Sequence, residues 1–353
     1  MANILVIGTG TIGEPLIGLL ADFKKKLKLS EVMFHKRTPL SDEISKVKSL
    51  VKRGAKLVVN QDKFKDFENL GHKPQYNFDK AYKKADVVID CTPAGNQHKE
   101  KHYAKTLSKK KKIFIAQGSE KGFGIPYAYG INDTALREAS SQFVQVVSCN
   151  THNISCLLRT VTPDHLDLLA ADFVCIRRAN DISQDCSFLP SPSVGKHSDA
   201  SFGTHHARDA FDLFMTMHKP LNIHSSAMKV NTQYMHVIRF DMQVKGTVTK
   251  EDLLRSFKEN KFIALTEKTS ANKVFSFGRD HGYYGRIFNQ TVISAPSLAA
   301  VSQGGTTRIT GFCFTPQDGN SLLSSVAAAM KAIHGDNYIS YMRVFDDFLF
   351  QEV

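Results

Sequence analysis

The glycine pattern at the start of the chain limits its fold more than any other feature. An apolar run, Asn3-Ile4-Leu5-Val6-Ile7, leads directly into Gly8-Thr9-Gly10-Thr11-Ile12-Gly13, and Ile17, Leu19 and Leu20 then recur at helical spacing. This reads as a buried strand, a tight turn and a helix. In that context the first glycine permits the turn, the second lets a pyrophosphate approach the backbone, and the third lets the helix pack on the strand. The free amides and positive dipole at the helix start favour the phosphates. Gly8, Gly10, Thr11, Ile12 and Gly13 are therefore candidate dinucleotide contacts; the other reading is a purely structural turn.

The rest of the first half repeats the theme. Val32-Met33-Phe34, Lys56 to Val59, Ala85 to Cys91, Lys112 to Ala116 and Phe143 to Val147 are short apolar runs separated by helical stretches, including a basic one at 41–55. Continuous apolar strands alternating with helices predict a doubly wound parallel sheet of Rossmann type, an α/β fold. After residue 148 the segments 172–178, 222–230 and 233–245 alternate polar with apolar, as antiparallel strands with two unlike faces do. The Ser-, Pro- and Gly-rich stretch 187–204 reads as a loop, and Thr249-Lys250-Glu251-Asp252 as a capped helix start with Leu253, Leu254 and Phe257 on one face. The expected division is a cofactor domain at 1–148, completed by the C-terminal helix and tail (about 317–353), and an α+β catalytic domain at 149–316 with a mainly antiparallel sheet.

Composition narrows the class. With 42% hydrophobic and 23% charged residues the chain reads as soluble and globular. It has no apolar run long enough to span a bilayer and opens without a secretory leader, so a cytoplasmic location and no membrane partner are expected. The six cysteines, Cys91, Cys149, Cys156, Cys175, Cys186 and Cys313, form no CxxC pair, so neither a metal nor a disulfide framework is expected. The net charge of +12 gathers partly in Lys24–Lys26 and Lys109–Lys112. A solvated surface or steering of phosphorylated ligands accounts for it; nucleic acid is not an expected partner, since no aromatic-interleaved basic motif is present.

Two sites carry chemistry. After the second strand, where an acid would bind the ribose of NAD, stands His35-Lys36-Arg37-Thr38-Pro39. Two cations and a hydroxyl there suit the 2′-phosphate of NADP, so Lys36, Arg37 and Thr38 join the cofactor residues, with NAD as a possible alternative. The second site is Val147-Ser148-Cys149-Asn150-Thr151, a cysteine between a strand and a helix whose apolar face is Ile154, Leu157, Leu158 and Val161. A helix start stabilises a thiolate, so the Cys149 pKa is expected to fall, and nearby amides could hold an oxyanion. Cys156 reads as a core residue.

Ser148-Cys149-Asn150-Thr151 resembles the nucleophile motif of glyceraldehyde-3-phosphate dehydrogenases. Asp90-Cys91-Thr92-Pro93-Ala94-Gly95, Gln117-Gly118-Ser119-Glu120-Lys121, Arg177-Arg178-Ala179, His205-His206 and Met235-His236 resemble segments of the archaeal, or type II, branch, and Lys36-Arg37-Thr38-Pro39 its NADP-accepting loop. The matches run in order over nearly the whole chain. The resemblance implies that Cys149 attacks an aldehyde, hydride passes to NADP, and inorganic phosphate cleaves the thioester, with His236 as general base. It also implies Gly118, Arg178 and Gln317 along the cofactor, and Ser148, Asn150, Thr151, His205 and His206 around a small phosphorylated aldehyde and phosphate. A homotetramer is the assembly it implies.

The residues themselves leave alternatives open. His236 shares one face with Tyr234, Ile238, Phe240, Met242 and Val244, so it could be a hydrogen-bonded core histidine. The segment after Thr151 is about three residues longer than the family's turn, Asn180-Asp181-Ile182 replaces an expected Asp-Pro, and the stretch before Met235 lacks Pro-Thr-Thr. A semialdehyde or acyl-phosphate reductase, or a catalytically silent NADP-binding protein, are the competing readings.

Overall fold

A computed structural model of the chain describes residues 1–106, 112–118, 120–138, 142–163, 167–181, 184, 188–316 and 318–353. Gln317, Cys186, Ser119, Ile182 and Lys109–Lys111, all named above, lie outside the described residues. The chain forms two compact units. One comprises Met1–Tyr129, Ala135–Val146 and Ser321–Val344; the other comprises Gly130–Thr134, Val147–Asn320 and Phe345–Val353. The tail is thus divided, unlike the division read from the sequence. Phe345–Val353 belongs with the second unit, where the Val353 N–H donates to Leu265 O at 2.9 Å.

The first unit is built on eight strands: β1 (Ala2–Ile7), β2 (Leu29–His35), β3 (Lys56–Val59), β4 (Tyr76–Asn77), β5 (Val87–Asp90), β6 (Ile113–Gln117), β7 (Ile125–Tyr127) and β8 (Phe143–Val146). They run in the order β4-β3-β2-β1-β5-β6-β8-β7, and every pairing is parallel. Ile4, Leu5, Val6, Val88 and Ile89 are fully buried, as the central strands of a parallel sheet covered on both faces must be. On one face Tyr103 stacks on Phe114 and Phe114 on Phe143, with centroids 4.7 and 5.3 Å apart. The order reverses between β1 and β5, which in such sheets opens a crevice at the C-terminal strand ends.

The second unit holds β9 (Leu168–Arg177), β10 (Ser193–Val194), β11 (Ile223–Lys229), β12 (His236–Lys245), β13 (Ile263–Thr266), β14 (Thr291–Ser294), β15 (Ala299–Gln303) and β16 (Thr306–Thr315). The order is β10-β11-β9-β12-β16-β14-β13, with β15 also on β16. Most pairs are antiparallel, but β9–β11 and β13–β14 are parallel. The antiparallel expectation for 222–230 is corrected here. Helix His205–Met215 lies between β9 and β11, and a connection that long can return the chain in the same direction. Burial along β12 alternates with period two: His236, Ile238, Phe240, Met242 and Val244 are buried. Tyr234, expected on that face, precedes the strand and is 42% exposed. The stretch read as a loop at 187–204 contains the short strand β10.

Among the described residues no helix is long and apolar enough to cross a membrane. The predicted cap is present: Thr249 Oγ1 accepts from the Asp252 N–H, the Asp252 carboxylate accepts from the Thr249 N–H, and Leu253 and Phe257 are buried behind it. Thr249→Ala should lower stability by about 1 kcal/mol, and urea unfolding measures the loss; an unchanged midpoint would remove the cap from the helix's account.

Candidate functional site

In the first unit a cleft of about 850 Å³ lies at the ends of β1, β2 and β5, lined by residues that include Gly8, Thr9, Lys36, Arg37, Thr92 and Tyr103. The glycine turn fits a dinucleotide on steric grounds. Gly8 has φ +93°, a Cβ on Gly13 would sit 2.1 Å from Gly8 O, and a Cβ on Gly10 would meet nothing within 4 Å. The outer glycines serve the turn and the helix–strand approach, and the middle one keeps the backbone accessible. Thr11 and Ile12 are half-buried in the same turn. Gly118 follows β6 with φ +55°, its N–H donating to Val146 O. Gln317 lies outside the described residues.

The two cations after β2 are not equivalent. Arg37 and Thr38 are exposed, and Arg37 forms no ion pair among the described residues. Lys36, by contrast, is 8% exposed and ion-paired with Glu43. Glu43 also takes Lys46 at 2.6 Å. Burial alone would raise the Glu43 carboxyl, but the two lysines hold it below its usual range. Farther along the cleft, buried Asp90 accepts from Thr92 Oγ1 and Tyr103 OH, each at 2.7 Å, and pairs with His98 Nδ1 at 2.7 Å. That hydrogen bond raises the His98 pKa and favours an imidazolium on the cleft wall. The sequence reading missed Glu43, Lys46 and His98, because nothing in linear spacing brings them to the strand ends.

The second unit holds the thiol. Cys149 is the first residue of helix Cys149–Val161, and Ser148 is the cap: its Oγ accepts from the Thr151 N–H at 3.3 Å and bonds Thr151 Oγ1 at 2.9 Å. Asn150 and Thr151 are buried, and Asn150 Oδ1 accepts from Thr315 Oγ1 at 3.0 Å. These hydrogen bonds hold Ser148, Asn150 and Thr151 in place around the thiol. Asn320 Nδ2 donates to Cys149 O at 3.1 Å and fixes that peptide from the start of helix Gly319–His334. The longer segment after Thr151 runs on as one helix, with His152 and Asn153 buried within the unit.

The expected fall in the Cys149 pKa is not observed. The residue retains some exposure, yet burial pushes its thiol up to about 11; Asp318 and Asp181 add to the rise, and Arg178 opposes it. A helix start lowers a thiol pKa only when desolvation and nearby carboxylates do not outweigh it. Asp318, itself buried and pushed upward by burial, escaped the sequence reading. The one signal was its place in the polar segment Pro316–Asn320, between two apolar runs of the sequence.

His236 opens β12, and its Nδ1 accepts the Arg178 backbone N–H at 3.1 Å. Since an amide can only donate, the neutral ring carries its proton on Nε2. Burial, with Arg178 and Arg177, lowers its pKa to about 3. No hydrogen bond joins His236 to Cys149 among the described residues. Arg178, implied along the cofactor, is 5% exposed, pairs with Asp181 at 2.9 Å and acts electrostatically on both Cys149 and His236. His205 and His206 begin helix His205–Met215 with ring centroids 4.0 Å apart. His206 is 3% exposed with neither ring nitrogen hydrogen-bonded among the described residues, and the buried Arg177 Nε is likewise without a partner. Burial and the nearby His205 and Arg177 hold the His206 pKa well below its ordinary value. Donors left unmet in this way suit an incoming anion.

No protein-family model matches the chain. It is similar to archaeal proteins named glyceraldehyde-3-phosphate dehydrogenase, in line with the resemblance of its motifs. The protein from Metallosphaera sedula is 28% identical over 293 residues, 80% of this chain and 79% of that one. The Sulfolobus acidocaldarius protein is 28% identical over 70% of this chain and 71% of its own. The Pyrobaculum islandicum protein is 25% identical over 84% and 83%.

The shifts set pH limits. An unfolded histidine binds a proton near pH 6.5, whereas folded His236 binds one only near 3 and His152 only near 4. Stability should therefore fall as pH drops below about 6.5. An unfolded cysteine ionises near 8.5–9 and folded Cys149 near 11, so stability should also fall above about pH 9. Thermal melts from pH 4 to 10 test both limbs. Iodoacetamide labelling of Cys149 should be slow at pH 7.5 and climb toward pH 11; rapid labelling at neutral pH would contradict the raised thiol.

Proposed function

We propose that this chain, a relative of archaeal glyceraldehyde-3-phosphate dehydrogenases, is a phosphorylating, NADP-using enzyme of that activity. The observation that carries the reading is the joining of Arg178 to His236 by a backbone hydrogen bond, with Arg178 acting on the helix-starting Cys149 as well. The glycine turn would hold the dinucleotide pyrophosphate, and Arg37 with Thr38 would meet the ribose 2′-phosphate. When bound, the nicotinamide supplies the hydride acceptor.

The chain's own residues do the rest. Cys149 Sγ, after losing its proton to solvent, adds to the aldehyde carbon and leaves the charge on the former carbonyl oxygen. Arg178 favours the thiolate. Backbone amides at the helix start, and the Nε2–H of His236, are donors for that oxygen, which places His236 first as a donor and only then as the implied base. Oxidation of the adduct leaves a thioester on Cys149. Phosphate attack then gives the acyl phosphate and returns the thiolate, and His205, His206 and Arg177 are the groups proposed to hold a phosphate. A cytoplasmic homotetramer is the proposed assembly, open to light scattering.

Glyceraldehyde 3-phosphate with NADP should give NADPH only when phosphate or arsenate is present, and Cys149→Ser should abolish it. His236→Ala should cut kcat by about 10²–10³-fold, with partial recovery in His236→Gln, which retains an N–H donor. Arg37→Ala should weaken NADP by about tenfold, one charge-assisted contact, and leave NAD unchanged. Turnover of a semialdehyde in place of glyceraldehyde 3-phosphate would overturn the substrate assignment.

A further inference from the structure

A chain of alternating charges runs from Lys36, on the wall of the cleft, to the glycine turn. Lys36 meets Glu43, and their side chains are 10% and 21% exposed. The other Glu43 oxygen takes Lys46 at 2.6 Å, and Lys46 continues to Glu14 at 3.6 Å and to the carbonyl of Thr9 at 3.3 Å. The network links the end of β2, the 3₁₀ turn Ser41–Glu43, the glycine turn and the first turn of helix Gly13–Asp22. Its two cations and two carboxylates compensate one another, so Lys36 brings no net charge to the cleft.

We propose that Glu43 sets the cofactor preference of this cleft, by holding the Lys36 ammonium that a ribose 2′-phosphate would otherwise meet. The proposal rests on the reading that the loop after β2 receives the adenosine ribose. Such loops discriminate between cofactors through an acid that accepts from the 2′-hydroxyl or a cation that meets the 2′-phosphate. No acid follows β2 in the sequence, but the fold returns one from the next segment and sets it against the more buried of the two cations. A phosphate of about two negative charges must then displace a carboxylate from Lys36 and sit beside it. A 2′-hydroxyl meets no such opposition and can donate to Glu43. Arg37 remains the cation available to the phosphate, so NADP preference is narrower than two free cations would give.

The test isolates the ribose end with fragments: calorimetric titration of 2′,5′-ADP and 5′-AMP against wild type, Glu43→Gln, Glu43→Ala, Lys36→Ala and Arg37→Ala. Glutamine keeps the shape and removes the charge, and the alanine variant guards against a glutamine that still holds Lys36. Both Glu43 variants should bind 2′,5′-ADP about tenfold more tightly, the effect of one released charge contact. Binding of 5′-AMP should be unchanged or weaker. If the Glu43 variants leave 2′,5′-ADP within twofold of wild type while Arg37→Ala or Lys36→Ala weakens it, the role of Glu43 is refuted and the loop reading stands. If no variant alters either fragment, the loop reading fails and the proposal falls with it.

Discussion

A sheet whose strands all run parallel must reverse its winding somewhere if both faces are to be covered, and much of the first unit follows from where that happens. The reversal falls between β1 and β5. At that point the turn after β1, the loop after β2 and the Asp90–Thr92 corner after β5 diverge and leave the cleft open. The glycines make this possible at close quarters. With its Cβ position 2.1 Å from a backbone oxygen, Gly13 can be no other residue unless the helix moves off the strand. Polar groups around the opening come from segments remote in sequence, held by ion pairs that the low exposure of the site strengthens.

In the second unit the governing fact is desolvation. Cys149, His236 and His206 all sit where burial penalises the charged form, which favours the neutral thiol and the neutral imidazoles. Arg178 is the counterweight, and its position depends on its own amide being tied to His236 and its guanidinium to Asp181.

The architecture of the first unit was legible because burial on both faces leaves a direct trace: uninterrupted runs such as Val87-Val88-Ile89 have no other economical reading. The second unit was harder. Period-two alternation correctly marked the inward face of β12, including His236, but alternation looks the same in parallel and antiparallel strands. Only the helix between β9 and β11 distinguishes them. The face assignment failed at Tyr234, where the strand had not yet begun.

Local sequence sets the glycine turn, the strand-to-helix placement of Cys149, the Thr249 cap and the inward face of His236, because each depends on residues a few positions apart and on local sterics or periodicity. Tertiary structure decided the electrostatics. Glu43 compensates Lys36, Asp90 raises the His98 pKa, Asp318 raises Cys149, and the Arg178 amide fixes the His236 tautomer. The free energy of a charge depends on the solvent it has lost and the neighbours it has gained, and both are set by how distant segments pack.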